Sequence, residues 1–173
     1  MQKNADTRTV ISFTKRIAVF LLVSFFVLPL DLLTKRVFFS ENYGGKPIIP
    51  GILDFVLHKN MGISFNIPIP REMILLVTFV VLLGIIVLVL RIRDLRFLSL
   101  IGLALIFGGA LGNAYDRLTL SFVRDWLLLF ERSAINFADT SIMIGMLLFL
   151  FNDRKVETSS NDVNYDMAQE GRT

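Results

Sequence analysis

Residues 73–90 run for 18 positions without one charged side chain. As a helix that stretch is about 27 Å long, close to the hydrocarbon thickness of a bilayer. A segment like this is at home only in lipid or in the centre of a large core, and 173 residues suffice for one domain and no large core. Three further apolar runs, 17–34, 97–115 and 137–151, are separated by short charged stretches. The chain is 54% hydrophobic and 19% charged, against about 45–50% and 25% in soluble domains. The sequence therefore predicts an all-α membrane protein with four transmembrane helices in a single domain over residues 1–151.

Lys15 and Arg16 precede the first run, an arrangement shared with removable signal peptides. No small-x-small cleavage site follows, and Asp31 sits inside the run, so it is read as a retained helix. The third run is rich in small residues (Gly102, Ala104, Gly108, Gly109, Ala110, Gly112) that let helix backbones approach closely in lipid. The fourth is short and opens on the polar sequence Asn136-Phe137-Ala138-Asp139. Between the first two runs, residues 38–71 are punctuated by Gly44-Gly45, Pro47, Pro50-Gly51, Pro68 and Pro70 around short β-prone pieces. A small β-rich segment at the outer membrane surface is expected there. Residues 152–173 are polar and read as a disordered cytoplasmic tail.

Four spans put both termini on one side of the membrane. Basic residues divide almost evenly between the two sides, so the positive-inside rule scarcely orients the chain. Their scatter beside apolar runs, with a net charge of only +3, argues against a nucleic-acid partner. Without cysteine, and with His58 as the single histidine, thiolate nucleophiles, Cys metal sites and histidine clusters are unavailable. Carboxylates, hydroxyls, Lys and Arg remain.

Ionisable and polar residues inside apolar segments are costly and call for a reason. Asp31 and Lys35 share a helix face at i,i+4 and can form a structural ion pair; a direct chemical role for Asp31 is the alternative. Asn60 and Gly62 fit a plain loop turn as well as a binding loop. Asn113 and Arg117 are i,i+4 neighbours, while Asp116 can pair with Arg117 at a helix end. Asp125 precedes Trp126 and an apolar stretch, as at a membrane interface, and Asp139 can serve as a charge at a helix N-terminus. Each has a bland explanation taken alone. The predicted topology nevertheless brings Asp31, Asn60, Asn113, Arg117, Asp125, Asn136 and Asp139 to the outer rim of the bundle, where two close carboxylates sharing a proton would suit aspartic-protease chemistry. An ion-coupled transporter is the rival reading, although it would spread its polar residues through the membrane depth.

The blocks DLLTK (31–35), NMGISF (60–65), GGALGNAYDR (108–117), VRDW (123–126) and NFADTSIMIG (136–145) resemble, in order and topology, those of lipoprotein signal peptidases, the signal peptidase II family. The family patterns read approximately D-x-x-T-K, N-x-G-x-x-F, G-N-x-x-D-R, V-x-D-F and F-N-x-A-D. The resemblance implies an aspartyl endopeptidase of the bacterial inner membrane that cleaves prolipoproteins just before a diacylglyceryl-modified cysteine. It implies Asp125 and Asp139 as the catalytic dyad, with Asn60, Asn113, Arg117 and Asn136 at the substrate. Asp31, Lys35, Gly62 and Asp116 then fall in supporting places, with Asp116 also an alternative for catalysis. Both termini would be cytoplasmic and the active site near the extracytoplasmic face. Metal and cofactor are not implied; the expected partners are membrane lipids, prolipoproteins and globomycin-type inhibitors, with the protein a monomer. Three departures stand out: Trp126 for the usual Phe, Ile63-Ser64 for two small residues, and a short 14-residue interval between Asp125 and Asp139.

Overall fold

The computed structural model describes residues 12–62, 69–92 and 95–151. The expectations for Ile63, Ser64 and Phe65 and for the tail 152–173 lie outside the described residues. Helix α1 spans Phe13–Phe38, α2 Arg71–Arg91 and α3 Phe97–Leu120, and among the described residues these three are long and apolar enough to cross a membrane. Helix α4, Phe137–Phe151, is apolar but shorter. Helices α1 and α3 extend four or five residues beyond their apolar runs, and α2 scarcely at all. In α1 Asp31 lies inside the apolar run, and Lys35 and Arg36 occupy the last turn, where cations are favoured.

Helix α3 is the centre of the bundle: 50% of its most apolar window is buried, against 17% for α2. Small residues explain how. A Cβ at Gly102 would meet the Gly145 carbonyl oxygen at 2.6 Å, one at Gly108 would meet Val27 Cβ at 2.8 Å, and one at Gly109 would meet the Ala138 carbonyl oxygen at 2.7 Å. One face of α3 therefore lies backbone-close to α4, and another to α1. Ser24 Oγ adds a bond to the Ala104 carbonyl at 3.2 Å. At the end of the bundle where α2 finishes and α3 begins, Phe20, Ile85, Val89, Leu100, Leu103 and Ala104 form a purely apolar core. Phe20 meets Phe107 edge-on with ring centroids 5.1 Å apart. Helix α2 buries only Ile74, Ile85 and Val89 and leaves most of its other large apolar side chains exposed, as a lipid-facing helix does.

The β-rich part differs from expectation. It is a four-stranded antiparallel sheet in the order β1 (Pro47–Ile49), β2 (Leu53–Asn60), β3 (Val123–Leu129) and β4 (Ser133–Ile135). Only half of its strands come from the segment between the first two helices. The other half is the hairpin joining α3 to α4, where Trp126-Leu127-Leu128-Leu129 had the look of an interfacial apolar run. A short apolar run cannot be assigned by periodicity alone; here the pairing with β2 makes it a strand. The hairpin turns through Phe130 and Glu131, both with positive φ (49° and 55°). Its compactness accounts for the short interval between Asp125 and Asp139, and β4 runs into α4 through one residue, Asn136. Trp126 stacks into an aromatic cluster with Phe38, Phe55 and Tyr43, with the Phe38 and Trp126 ring centroids 4.7 Å apart, and this pins the sheet to the end of α1.

Candidate active site

Asn136 opens α4 as a helix cap. Its side-chain oxygen accepts from the Asp139 backbone N–H at 3.0 Å, while its own backbone N–H donates to Asp139 Oδ2 at 3.2 Å. This is a reciprocal capping box with aspartate in the third helical position. The Ala138 N–H donates to Asp31 Oδ1 at 2.9 Å, so α1 supplies the partner for another donor of that first turn. Asp139 is thereby held at the head of α4 by the same bonds that start the helix.

Asp125 arrives from the sheet. In register it faces His58, two residues along from the Asn60–Val123 pair, and Asn60 Nδ2 donates to Asp125 Oδ2 at 3.0 Å. The Gly62 N–H occupies Asn60 Oδ1 at 3.1 Å, which leaves the Asn60 amide nitrogen to face the carboxylate. Asn136 Nδ2 donates to Asp125 Oδ1 at 2.6 Å. On the other side Asn113 Nδ2 donates to Asp139 Oδ1 at 2.8 Å. The two carboxyls are thus bridged through Asn136, and each of their four oxygens accepts one N–H.

Beneath them lies an ionic layer. Lys35 Nζ is 2.8 Å from Asp31 Oδ2, 3.5 Å from Asp116 Oδ2 and 2.8 Å from Asn113 Oδ1. Asp31, Lys35, Asp116 and Asp125 are all 0% exposed. Gly112 makes this possible, because a Cβ there would collide with the Asp31 carboxylate. Asp116 accepts from the Arg124 backbone N–H at 3.0 Å, from its Nε at 3.2 Å and from its Nη2 at 2.7 Å. The neighbour pair Asp116–Arg117 expected from the sequence gives way to this one, since the β3 strand brings Arg124 back over the end of α3. Arg117 Nη2 instead donates to the Gly62 carbonyl at 2.8 Å, and its buried Nε has no acceptor among the described residues.

Electrostatics favour a proton on Asp125. Burial, and then the neighbouring Asp139 charge, push the Asp125 carboxyl up to about 7 against the pull of the Asn136 and Asn60 hydrogen bonds and the Lys35 charge. By formal charge, with Asp125 protonated, the three carboxyl groups Asp31, Asp116 and Asp139 balance the three basic groups Lys35, Arg117 and Arg124. Ionising Asp125 would leave a net negative charge in a buried site, which is costly.

All ten residues singled out in the sequence, Asp31, Lys35, Asn60, Gly62, Asn113, Asp116, Arg117, Asp125, Asn136 and Asp139, therefore belong to one connected network. Arg124 was quoted within a motif without a part to play, and Gly112 only as one of the small packing residues. The contact of Arg124 with Asp116 crosses from a helix to a strand, so no single period reveals it, and the sequence does not say which group a glycine makes room for.

The signal peptidase (SPase) II model, Peptidase A8, matches residues 23–153. The chain belongs to the signal peptidase II family. Among curated relatives, the lipoprotein signal peptidase of Ectopseudomonas mendocina (strain ymp) is 32% identical over 154 residues, covering 82% of this chain and 91% of the relative. The lipoprotein signal peptidase of Sulfurihydrogenibium sp. (strain YO3AOP1) is 35% identical over 150 residues, covering 79% and 91%. A solved structure described as a bacterial membrane enzyme superposes with a TM-score of 0.75 at 24% identity, covering 83% of this chain and 92% of that one, and so shares the fold. Family membership makes this a membrane protein and a protease, and every motif of the network, residues 31–145, falls inside the matched region.

Asp116 has its oxygens taken by Arg124 and Lys35, which leaves little room for a water. Asp116→Asn is expected to lower stability by about 3 kcal/mol, the cost of breaking a buried pair, while the folded fraction keeps at least about a tenth of its activity. Thermal unfolding in detergent alongside a cleavage assay measures both. Loss of cleavage at full stability would move the catalytic role to Asp116.

Proposed function

We propose that this chain is an aspartyl endopeptidase of the bacterial inner membrane that removes signal peptides from prolipoproteins by cutting before the diacylglyceryl-modified cysteine. The observation that carries this reading is the pair Asp125 and Asp139, joined through Asn136 where α3 ends and α4 begins, with every carboxylate oxygen held by an N–H donor. Each oxygen keeps lone-pair capacity for one more partner, and a water between the two carboxyls is the partner that hydrolysis needs.

Asp139, at the half-exposed head of α4, is the ionised member and takes a proton from that water. Protonated Asp125 donates to the scissile carbonyl oxygen as the water oxygen attacks the carbon. The tetrahedral diol then collapses: the C–N bond breaks, the cysteine nitrogen receives the proton held by Asp139, and Asp125 recovers its own. Arg117 Nε, buried without an acceptor among the described residues, is a ready donor for a substrate backbone carbonyl. Asn60, Asn113 and Asn136 complete the substrate-facing polar wall. The lipid chains of the substrate remain in the bilayer while the adjacent peptide bond reaches the dyad.

In this reading α4 is a fourth span, residues 1–151 form one domain and 152–173 a cytoplasmic tail. Both termini face the cytoplasm, and the site lies near the extracytoplasmic face. The working form is a monomer open to globomycin-type inhibitors. The test is cleavage by the purified protein in detergent, read as a gel shift. A diacylglyceryl-Cys prolipoprotein should be cut and its unlipidated form cut far more slowly. A well-folded protein that cuts neither would sink the proposal.

The proton on Asp125 gives a second expectation. kcat/KM should fall along an alkaline limb near pH 7, as Asp125 loses the proton it must donate. The same carboxyl affects stability. Between the ordinary carboxylate range and about 7, the folded protein holds a proton that the unfolded chain has released. Stability from this group is therefore greatest at low pH and declines as pH rises to about 7. Asp125→Asn should remove that part of the slope in unfolding midpoints measured from pH 5 to 8.

A further inference from the structure

Lys35 is 0% exposed on a helix whose exposed residues are mostly apolar, and the hydrolysis described above uses none of its atoms. An ion pair with Asp31 at i,i+4 would account for its charge, but its ammonium also reaches across to Asn113 on α3. That second contact has a consequence. An ammonium has donors only, so the Asn113 side-chain oxygen must face Lys35. The Asn113 amide nitrogen must then face the other way, and there it meets Asp139 Oδ1 at 2.8 Å. Asn136 Nδ2, 3.3 Å from the same Asn113 oxygen, adds to the selection. With the amide turned over, oxygen would face oxygen at Asp139, and the carboxyl could satisfy that contact only by holding a proton.

We propose that Lys35 is the positioning residue of the dyad, fixing the Asn113 amide so that it donates to Asp139 and supplying the cation that keeps the pair singly protonated. The inference rests on the dyad reading. Charge balance argues the same way as geometry. The groups around Lys35 are Asp31 on its own helix, Asp116 and Arg117 on α3, Arg124 and Asp125 on β3, and Asp139 on α4. Removing the Lys35 charge leaves three carboxylates against two cations, and the cluster relieves the imbalance by taking up a proton. Where the freed Asn113 amide turns its oxygen to Asp139, that carboxyl is the one that takes it, and a dyad carrying two protons has no base left to activate water.

The test compares wild type, Lys35→Met, Lys35→Gln and Lys35→Arg as full chains in detergent. Glutamine is included because its amide can still bond to Asp31 if methionine prevents folding. Two readouts are taken on folded protein. One is the pH profile of kcat and KM with the lipidated prolipoprotein. The other is an infrared titration of protonated carboxyl groups, which needs no activity; a second series carrying Asp139→Asn assigns the band. The neutral variants should lose about 10²-fold in kcat with KM little changed. Their acid limb should move up by about one pH unit or more, with an additional protonated-carboxyl band that the Asp139→Asn series lacks. Arginine should return the limb towards its wild-type position. A merely structural lysine would lower activity with the folded fraction and move neither limb nor band, and that result overturns the inference. If Asp139→Asn alone cleaves like wild type, the dyad reading fails, and the infrared band separately decides whether Lys35 governs the proton at Asp139.

Discussion

Asp125→Asn and Asp139→Asn should each lower kcat by roughly 10²–10⁴-fold while the protein stays folded. Asparagine is nearly isosteric with aspartate and keeps an oxygen acceptor. In Asp139→Asn that oxygen can still receive the Asn136 backbone N–H, so the start of α4 survives and what disappears is the base. In Asp125→Asn the Asn60 and Asn136 amides compete for one oxygen instead of two, a local cost that leaves the strand register in place. The double variant should be no slower than the worse single one, because a pair that acts as a unit is lost when either member is lost. Asp139→Ala separates the two parts of that residue: activity falls as in the Asn variant, and stability falls by about 1 kcal/mol more through the broken cap. The measurement is single-turnover cleavage of a diacylglyceryl-Cys prolipoprotein, with thermal unfolding run in parallel. Near-normal turnover in either folded Asn variant would remove that carboxyl from the chemistry.

The second large effect is on assembly. Gly112→Ala places a methyl group inside the space of the Asp31 carboxylate. Asp31 must then withdraw from Lys35, from the Ala138 N–H, or from both. Breaking a buried pair by displacing one partner costs about 3–5 kcal/mol, comparable with much of the stability of a small domain. The expected result is a protein that unfolds at much lower temperature or does not accumulate. Gly84→Ala is the matched control: it lies on α2, where a Cβ meets nothing within 4 Å. There the substitution should be neutral or stabilising by about 0.5–1 kcal/mol, the helix preference of alanine over glycine. Equal loss in both variants would mean that α3 tolerates no added methyl for reasons unrelated to Asp31.

The helices and the polar groups between them were legible in the sequence for separate reasons. Residues 73–90 can satisfy their backbone only as a helix in lipid, so composition and length suffice. Asp31, Lys35, Asn113 and Asp116 drew notice because a buried charge needs a partner, and i,i+4 spacing supplied one for Asp31. The second half of the sheet was not legible. Leu127 to Leu129 carry no alternation that would separate a strand from an interfacial run, and the partner that decides the matter, β2, is some 70 residues earlier. The clamp of Arg124 on Asp116 failed to show for the same reason, since it exists only once β3 folds back over α3. Nor does any side-chain pattern reveal that Asp31 accepts the Ala138 backbone N–H.

Active sites are commonly places where a protein gives up stability, holding strained or unpaired groups in readiness for a substrate. The capping box at the head of α4 runs against that habit. Asn136 and Asp139 start a helix through the same atoms that, on the proposed mechanism, order the dyad. A library of this chain screened for heat resistance alone, with no substrate present, would therefore tend to retain Asn136 and Asp139. Thermal selection and catalytic selection would act on these two positions in the same direction.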